Sequence, residues 1–149
     1  MKVLIFDTET TGLPLRNKYG KKASIYETTL WPYIIQLSYI LYDTEKNKIV
    51  IEHDHIVKIP RHCKLTEKSV ELHGITRERS IREGMCIKDA LDLFSICVNA
   101  ADVIVAHNLS FDRQMMLVEY IRNHKCGPFM FKDPLQFYCT MKNSVDLCA

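Results

Sequence analysis

The sequence is short of the residues that loosen or interrupt a fold: five glycines and five prolines in 149 residues, with no internal repeat and no Ser/Gly/Pro-rich stretch. That scarcity excludes a collagen-like rod, a low-complexity linker and a disordered tail, and it leaves no boundary at which to divide the chain. Neither sign of charge prevails. Twenty Lys and Arg against eighteen Asp and Glu give a net charge of +2, too balanced to announce nucleic-acid binding by charge alone. Long hydrophobic runs are missing too. Leu30 to Tyr42 is the longest nearly apolar stretch, yet it contains Pro32, Gln36 and Ser38 and is too short to span a bilayer. The N-terminus, MKVLIFDTET, meets an acid at its seventh residue and lacks the apolar core of a signal peptide. No CxxC pair occurs among Cys63, Cys86, Cys97, Cys126, Cys139 and Cys148. Most lie in apolar segments, which predicts reduced thiols in an intracellular protein, cytoplasm and nucleus not being distinguished. His53, His55, His62 and Cys63 crowd together in sequence but have no second half-site at zinc-binding spacing.

What is present suits one compact domain. Apolar residues make up 47% and charged residues 26%, ordinary for a globular chain able to bury roughly 70% of its unfolded surface. Lys2–Phe6 reads as a buried strand. Tyr33–Tyr42 and Ile49–Ile59, rich in β-branched and aromatic residues and separated by the polar segment Asp43–Lys48, read as an antiparallel hairpin. Residues 14–29 are polar, basic and aperiodic, a surface loop. Thr66 is suited to capping a short helix that Gly74 ends. Met85, Ala90, Leu91, Phe94 and Val98 recur near helical spacing. Asp102–Ala106 forms another buried strand, Ser110 caps a helix running to about His124, and Phe137–Met141 is a last strand. Asn143–Ala149 begins a further helix that ends only with the chain. The order predicts a mixed α/β sheet, antiparallel in its first three strands and then parallel, flanked by helices, in a single domain 1–149 that lacks a C-terminal part.

Two constellations carry chemistry. Asp7 and Glu9 are two apart along a strand, so both carboxylates leave the same face. Side by side they repel unless a cation lies between them, and hard divalent ions take oxygen ligands of this kind. Alone, the pair would equally suit a strand end turning into solvent. Directly beside it, Thr10, Thr11, Gly12 and Leu13 make a tight turn whose hydroxyls and amides can hold a phosphate or sugar. The second constellation is His107-Asn108-Leu109-Ser110-Phe111-Asp112, at the end of a strand where ligands gather in open α/β sheets. Asp112 in the first helical turn suits the helix dipole as well as catalysis. His107 and Asn108 equally suit turn residues bonding their own backbone.

Together the two resemble the DEDD superfamily of 3′→5′ exonucleases, the DnaQ-like proofreading group with a ribonuclease-H-like fold. FDTETTG is similar to the first motif of that family, with Asp7 and Glu9 as its first two acids, and VAHNLSFD is similar to the second, with Asp112 as the third. WPYIIQLSYI and LTEKSVELHGIT, the latter ending in His73 to Thr76, follow the family's order between them. The resemblance implies metal-dependent hydrolysis of phosphodiesters at the free 3′ end of single-stranded DNA or RNA. It implies that Asp7, Glu9 and Asp112 are the catalytic residues and ligands of two Mg²⁺ or Mn²⁺ ions, with Asp7 bridging them. Thr10, Thr11, Gly12 and Leu13 would seat the terminal nucleotide, Asn108 and Phe111 would line the path of the next, and His73 would face the substrate. Phe111 equally suits a core position and His73 a structural one. The basic residues Arg16, Lys18, Lys21 and Lys22 could track the phosphate backbone.

One departure is conspicuous. The third motif of the family supplies a fourth acid and a general-base histidine, yet no H-x₄-D or Y-x₃-D pattern follows Asp112, and Asp146 is the only acid after Tyr138. A missing base costs roughly 10²–10⁴-fold, so the chain by itself is expected to bind metal weakly and act slowly or not at all. Two other readings remain. A shortened exonuclease fold could serve as a non-catalytic nucleic-acid-binding module. A haloacid-dehalogenase-like phosphatase also places two acids two apart after a strand, but its second acid is normally Asp where this chain has Glu9, and it leaves HNLSFD unexplained.

Overall fold

Alternation along the first strand decides how the molecule is layered. In β1 (Lys2–Thr10), Leu4, Phe6, Thr8 and Thr10 are buried while Ile5 and Asp7 are exposed, the two faces of a pleated strand. The computed structural model describes residues 1–127 and 136–145. It contains β1, β2 (Ile34–Asp43), β3 (Lys48–Ile56), α1 (Glu67–His73), α2 (Arg77–Glu83), α3 (Ile87–Ala100), β4 (Val103–Ala106), α4 (Leu109–Arg122), β5 (Phe137–Cys139) and α5 (Thr140–Asn143), with a 3₁₀ turn at Thr28–Leu30. The sheet order is β3-β2-β1-β4-β5. β1–β2 and β2–β3 are antiparallel, and β1–β4 and β4–β5 are parallel. This is the mixed sheet expected from the sequence. Among the described residues, no helix is long and apolar enough to cross a membrane.

The buried face of β1 packs with Leu37, Tyr39 and Leu41 of β2, Leu91 and Phe94 of α3, and Met115 and Val118 of α4. Phe94 is the hub: its ring centroid lies 5.2 Å from that of Phe6 and 5.3 Å from that of Tyr39, edge-on to the latter, geometry favoured by aromatic quadrupoles. Strict alternation would put Ile35, not Ile34, on the face of Leu37. The register shifts instead, pairing Glu9 with Gln36 and Thr10 with Ile34. This bulge sends Ile34 into the main core and Ile35 into a smaller one with Ile59, Cys63 and Ile75. The irregularity falls beside Glu9.

A buried ion pair holds α4 against the chain entering β2. Glu119 accepts from Ile34 N at 3.3 Å and pairs with Arg122. Arg122 Nη2 donates to the carbonyls of Thr28, Trp31 and Pro32 and its guanidinium covers the Tyr33 ring at 4.0 Å, so the desolvated charges find several partners.

The boundaries differ from the sequence reading in instructive ways. β1 continues to Thr10, four residues beyond the expected end, because β2 pairs with it along its whole length. Asp7 and Glu9 therefore stand within a strand. β3 stops at Ile56 rather than Ile59, and α4 starts at Leu109 behind Asn108, which adopts a left-handed φ of 55°, so Ser110 lies inside the helix and does not cap it. Helix α2 was not legible, because only Ser80 on it is buried and there is no apolar stripe to read. β5 is shorter than Phe137–Met141, and α5 begins at Thr140, earlier than the expected Asn143. The expected continuation of a helix to Ala149, and with it Asp146 and Cys148, lies outside the described residues.

Candidate active site

β4 pairs with β1 only from Val3 to Ile5, so the following part of β1 projects beyond the end of its parallel neighbour. A backbone N–H on that side has no strand to receive it, and an unpaired buried donor is costly. Asp112, 3% exposed, occupies the gap. Its Oδ1 accepts from Thr8 N at 3.0 Å and from Thr8 Oγ1 at 2.7 Å. The third acid, more than a hundred residues away in the chain, is thus docked on β1 between Asp7 and Glu9.

Asp7 acts on each of the other two carboxylates. Burial pushes the Asp112 carboxyl up to about 6, opposed by the Thr8 hydroxyl and reinforced by Asp7. Burial also raises Asp7, with His107 pulling the other way. Glu9 is raised by burial and then by Asp7, and lowered by His73. Two histidines therefore flank the acids. His107 faces Asp7 and its Nδ1 lies 3.1 Å from Thr140 Oγ1. His73 faces Glu9; its Nδ1 accepts from Ile75 N at 3.0 Å, while its buried Nε2 has no hydrogen-bond partner. With Nδ1 accepting, Nε2 carries the proton and is a donor without an acceptor.

Among the described residues, no three His, Cys, Asp or Glu side chains are grouped closely enough to hold an ion. Asp7 and Glu9 leave the face of β1 opposite its buried residues, whereas Asp112 arrives from α4 and commits Oδ1 to Thr8. The donor chemistry nevertheless fits a hard divalent cation: three oxygen donors, coupled through Asp7, whose charged forms are disfavoured when no cation is near.

The turn after β1 divides its labour. Thr10 Oγ1 donates to Gly12 O at 2.7 Å. Thr11, buried, receives Tyr33 N on its hydroxyl at 3.0 Å and donates its own N–H to Tyr33 O at 2.9 Å. These hydroxyls hold the turn together. Outward it presents Leu13, 78% exposed. A groove of about 430 Å³ runs from Leu13 past Arg16 and Lys22, with Asn108, Phe111 and Gln114 on its other wall. Phe111 lines this groove and also packs against the main core. His53 and His55 stack on each other beside Tyr39, His62 contacts the Tyr33 hydroxyl, and Cys63 lies in the small core. Sequence reasoning missed Thr8, the residue between the two acids, whose signal was its place in D-x-E, and it placed His107 in the second constellation without giving it a role toward Asp7.

The family model RNase_T, an exonuclease family, matches residues 4–148. The chain belongs to this exonuclease family. Its backbone is similar to a product-bound exonuclease I, with a TM-score of 0.72, 15% identity and coverage of 99% of this chain and 30% of that one. It is also similar to the metal-free form of E. coli exonuclease I in complex with single-stranded DNA, with a TM-score of 0.67, 17% identity and coverage of 95% and 28%. Exonuclease I from Methylocaldum szegediense has a TM-score of 0.58 and 16% identity, over 76% of this chain and 22% of that one. No curated protein matches the chain. At such identities the likeness establishes the fold, and the exonuclease-family chain spans less than a third of the length of these structures. Family and fold together support a nuclease.

Proposed function

We propose that the chain is a metal-dependent 3′→5′ exonuclease domain acting on the 3′ end of single-stranded nucleic acid, DNA or RNA. The observation that carries the reading is the docking of Asp112 on β1 between Asp7 and Glu9, which gathers the three acids named by the resemblance at one strand. Asp7, Glu9 and Asp112 would hold two divalent ions, Mg²⁺ or Mn²⁺. Bound there, such ions supply an activated water and neutralise charge on the scissile phosphate. Thr8 fixes the orientation of Asp112. Leu13, Gly12 and the Thr10–Thr11 turn seat the terminal nucleotide, and Asn108 and Phe111 line the path of the next. His73 stands beside Glu9 and would face the substrate.

The test is incubation of 5′-labelled single strands with the chain and Mn²⁺. A ladder shortening slowly from the 3′ end over long incubation, as the lack of the third motif implies, and abolished by chelation and by Asp7→Ala, is expected. Retention of the strand without cleavage would instead favour a nucleic-acid-binding module, and release of phosphate from small phosphate esters a phosphatase.

A further inference from the structure

The loop between the turn and β2 is not a slack connection. Arg16 and Lys22 form an antiparallel bridge. Inside it, Asn17 N donates to Lys21 O at 2.9 Å and Gly20 N to Asn17 O at 2.8 Å, and the Asn17 side-chain oxygen accepts from Tyr19 N and Lys21 N. Gly20 supplies the left-handed residue, φ 74°, that closes the turn. Arg16 Nη1 crosses the hairpin to Gly20 O at 2.7 Å. The result is a small ordered hairpin whose tip carries Tyr19, 71% exposed, with Lys18 Nζ 5.0 Å from its ring centroid.

Its charge is uncompensated. Residues 14–29 hold four cations and a single carboxylate, Glu27. Among the described residues, none of Arg16, Lys18, Lys21 or Lys22 joins an ion pair. A solvated aromatic ring amid cations that join no ion pair suits a polymer that offers both flat bases and phosphates. An acidic peptide would use the cations but leave the ring idle. The base of the hairpin, Arg16 and Lys22, also lines the groove that begins at Leu13 and faces Asn108 and Phe111.

We propose that the Arg16–Lys22 hairpin is a second binding site for single-stranded nucleic acid, in which Tyr19 stacks on a base upstream of the 3′ end and Lys18, Lys21 and Lys22 engage the phosphates around it. The inference rests on the nuclease reading for the polarity of the strand. It makes the hairpin a determinant of substrate length: short fragments reach only the acids and the turn, whereas longer strands also gain the hairpin.

The experiment measures binding of fluorescent oligothymidylates by anisotropy in chelator, so that nothing is cleaved. Tyr19→Ala should weaken a 12-mer about tenfold, Tyr19→Phe should leave it within about twofold, and a dinucleotide should bind all three proteins equally. Replacing Lys21 and Lys22 together by Glu should make the salt dependence of 12-mer binding shallower by about 1.4 in log–log slope. Unchanged 12-mer affinity in both variants would overturn the proposal, as would an equal loss on the dinucleotide. Failure of the nuclease reading shows separately, as strands bound through the hairpin but never shortened when Mn²⁺ is supplied.

Discussion

Asp112 is a buried carboxyl whose ionisation comes at a cost to the fold. Its carboxyl is raised from 3.8 to about 6, by burial first and with Asp7 reinforcing the shift. The folded state therefore holds this proton more tightly than the unfolded chain, and stability falls as pH rises from about 4 to about 6. Asn at this position can accept the same bonds from Thr8 N and Thr8 Oγ1 without the buried charge. Metal-free Asp112→Asn is accordingly expected to exceed the parent in stability at pH 7 by up to about 3 kcal/mol, with the difference gone near pH 4. Urea unfolding in chelator across that range is the measurement; an Asn variant less stable than the parent at pH 7 would count against this account. Asp112 itself was legible as a motif position. Its hydrogen-bond partner was not, because Thr8 becomes an orphan donor only when β4 stops short of it.

At the scale of elements, the two short helices before α3 show where local signals suffice and where they fail. The ends of α1 were legible: the Thr66 side chain accepts from Ser69 N at 3.2 Å and Gly74 closes the helix in the left-handed region. α2 depends on contact instead. Ser80 Oγ donates to Val57 O at 2.8 Å and accepts from Ile59 N at 3.0 Å, stitching the helix to the segment after β3. Gly84 completes the approach. A Cβ there would meet the backbone of Ser80, and would stand 2.6 Å from Lys58 N and 2.8 Å from Val57 C, atoms that cannot rotate away. Gly84→Ala is expected to destabilise by about 2 kcal/mol or more, read as a lower urea midpoint. A midpoint equal to the parent's would show that this packing yields freely. The bulge beside Glu9 likewise arises from pairing, since it reconciles Ile34 and Leu37 on one face of β2, and nothing local in WPYIIQLSYI marks where alternation breaks.

For the whole molecule, the proposed nuclease reading has a cation relieve the repulsion that Asp7 exerts on Glu9 and Asp112, and a ligand that binds only the folded state stabilises it. Thermal unfolding should shift upward by several degrees in millimolar Mn²⁺, and the shift should vanish in Asp7→Asn. An equal shift in that variant would place the ion elsewhere. The alternating apolar pattern determined by itself the mixed sheet, antiparallel and then parallel, while the spacing of Asp7 and Glu9 and the HNLSFD segment singled out three acids through their resemblance to the family's motifs. These follow from periodicities and residue chemistry that are local in the chain. Only the tertiary structure decided that β1 outruns β4, that Asp112 fills the resulting gap, that His73 and His107 flank the acids, and that residues 16–22 form an ordered cationic hairpin along a groove. Each of these depends on which distant backbone groups are left without partners once the strands have paired.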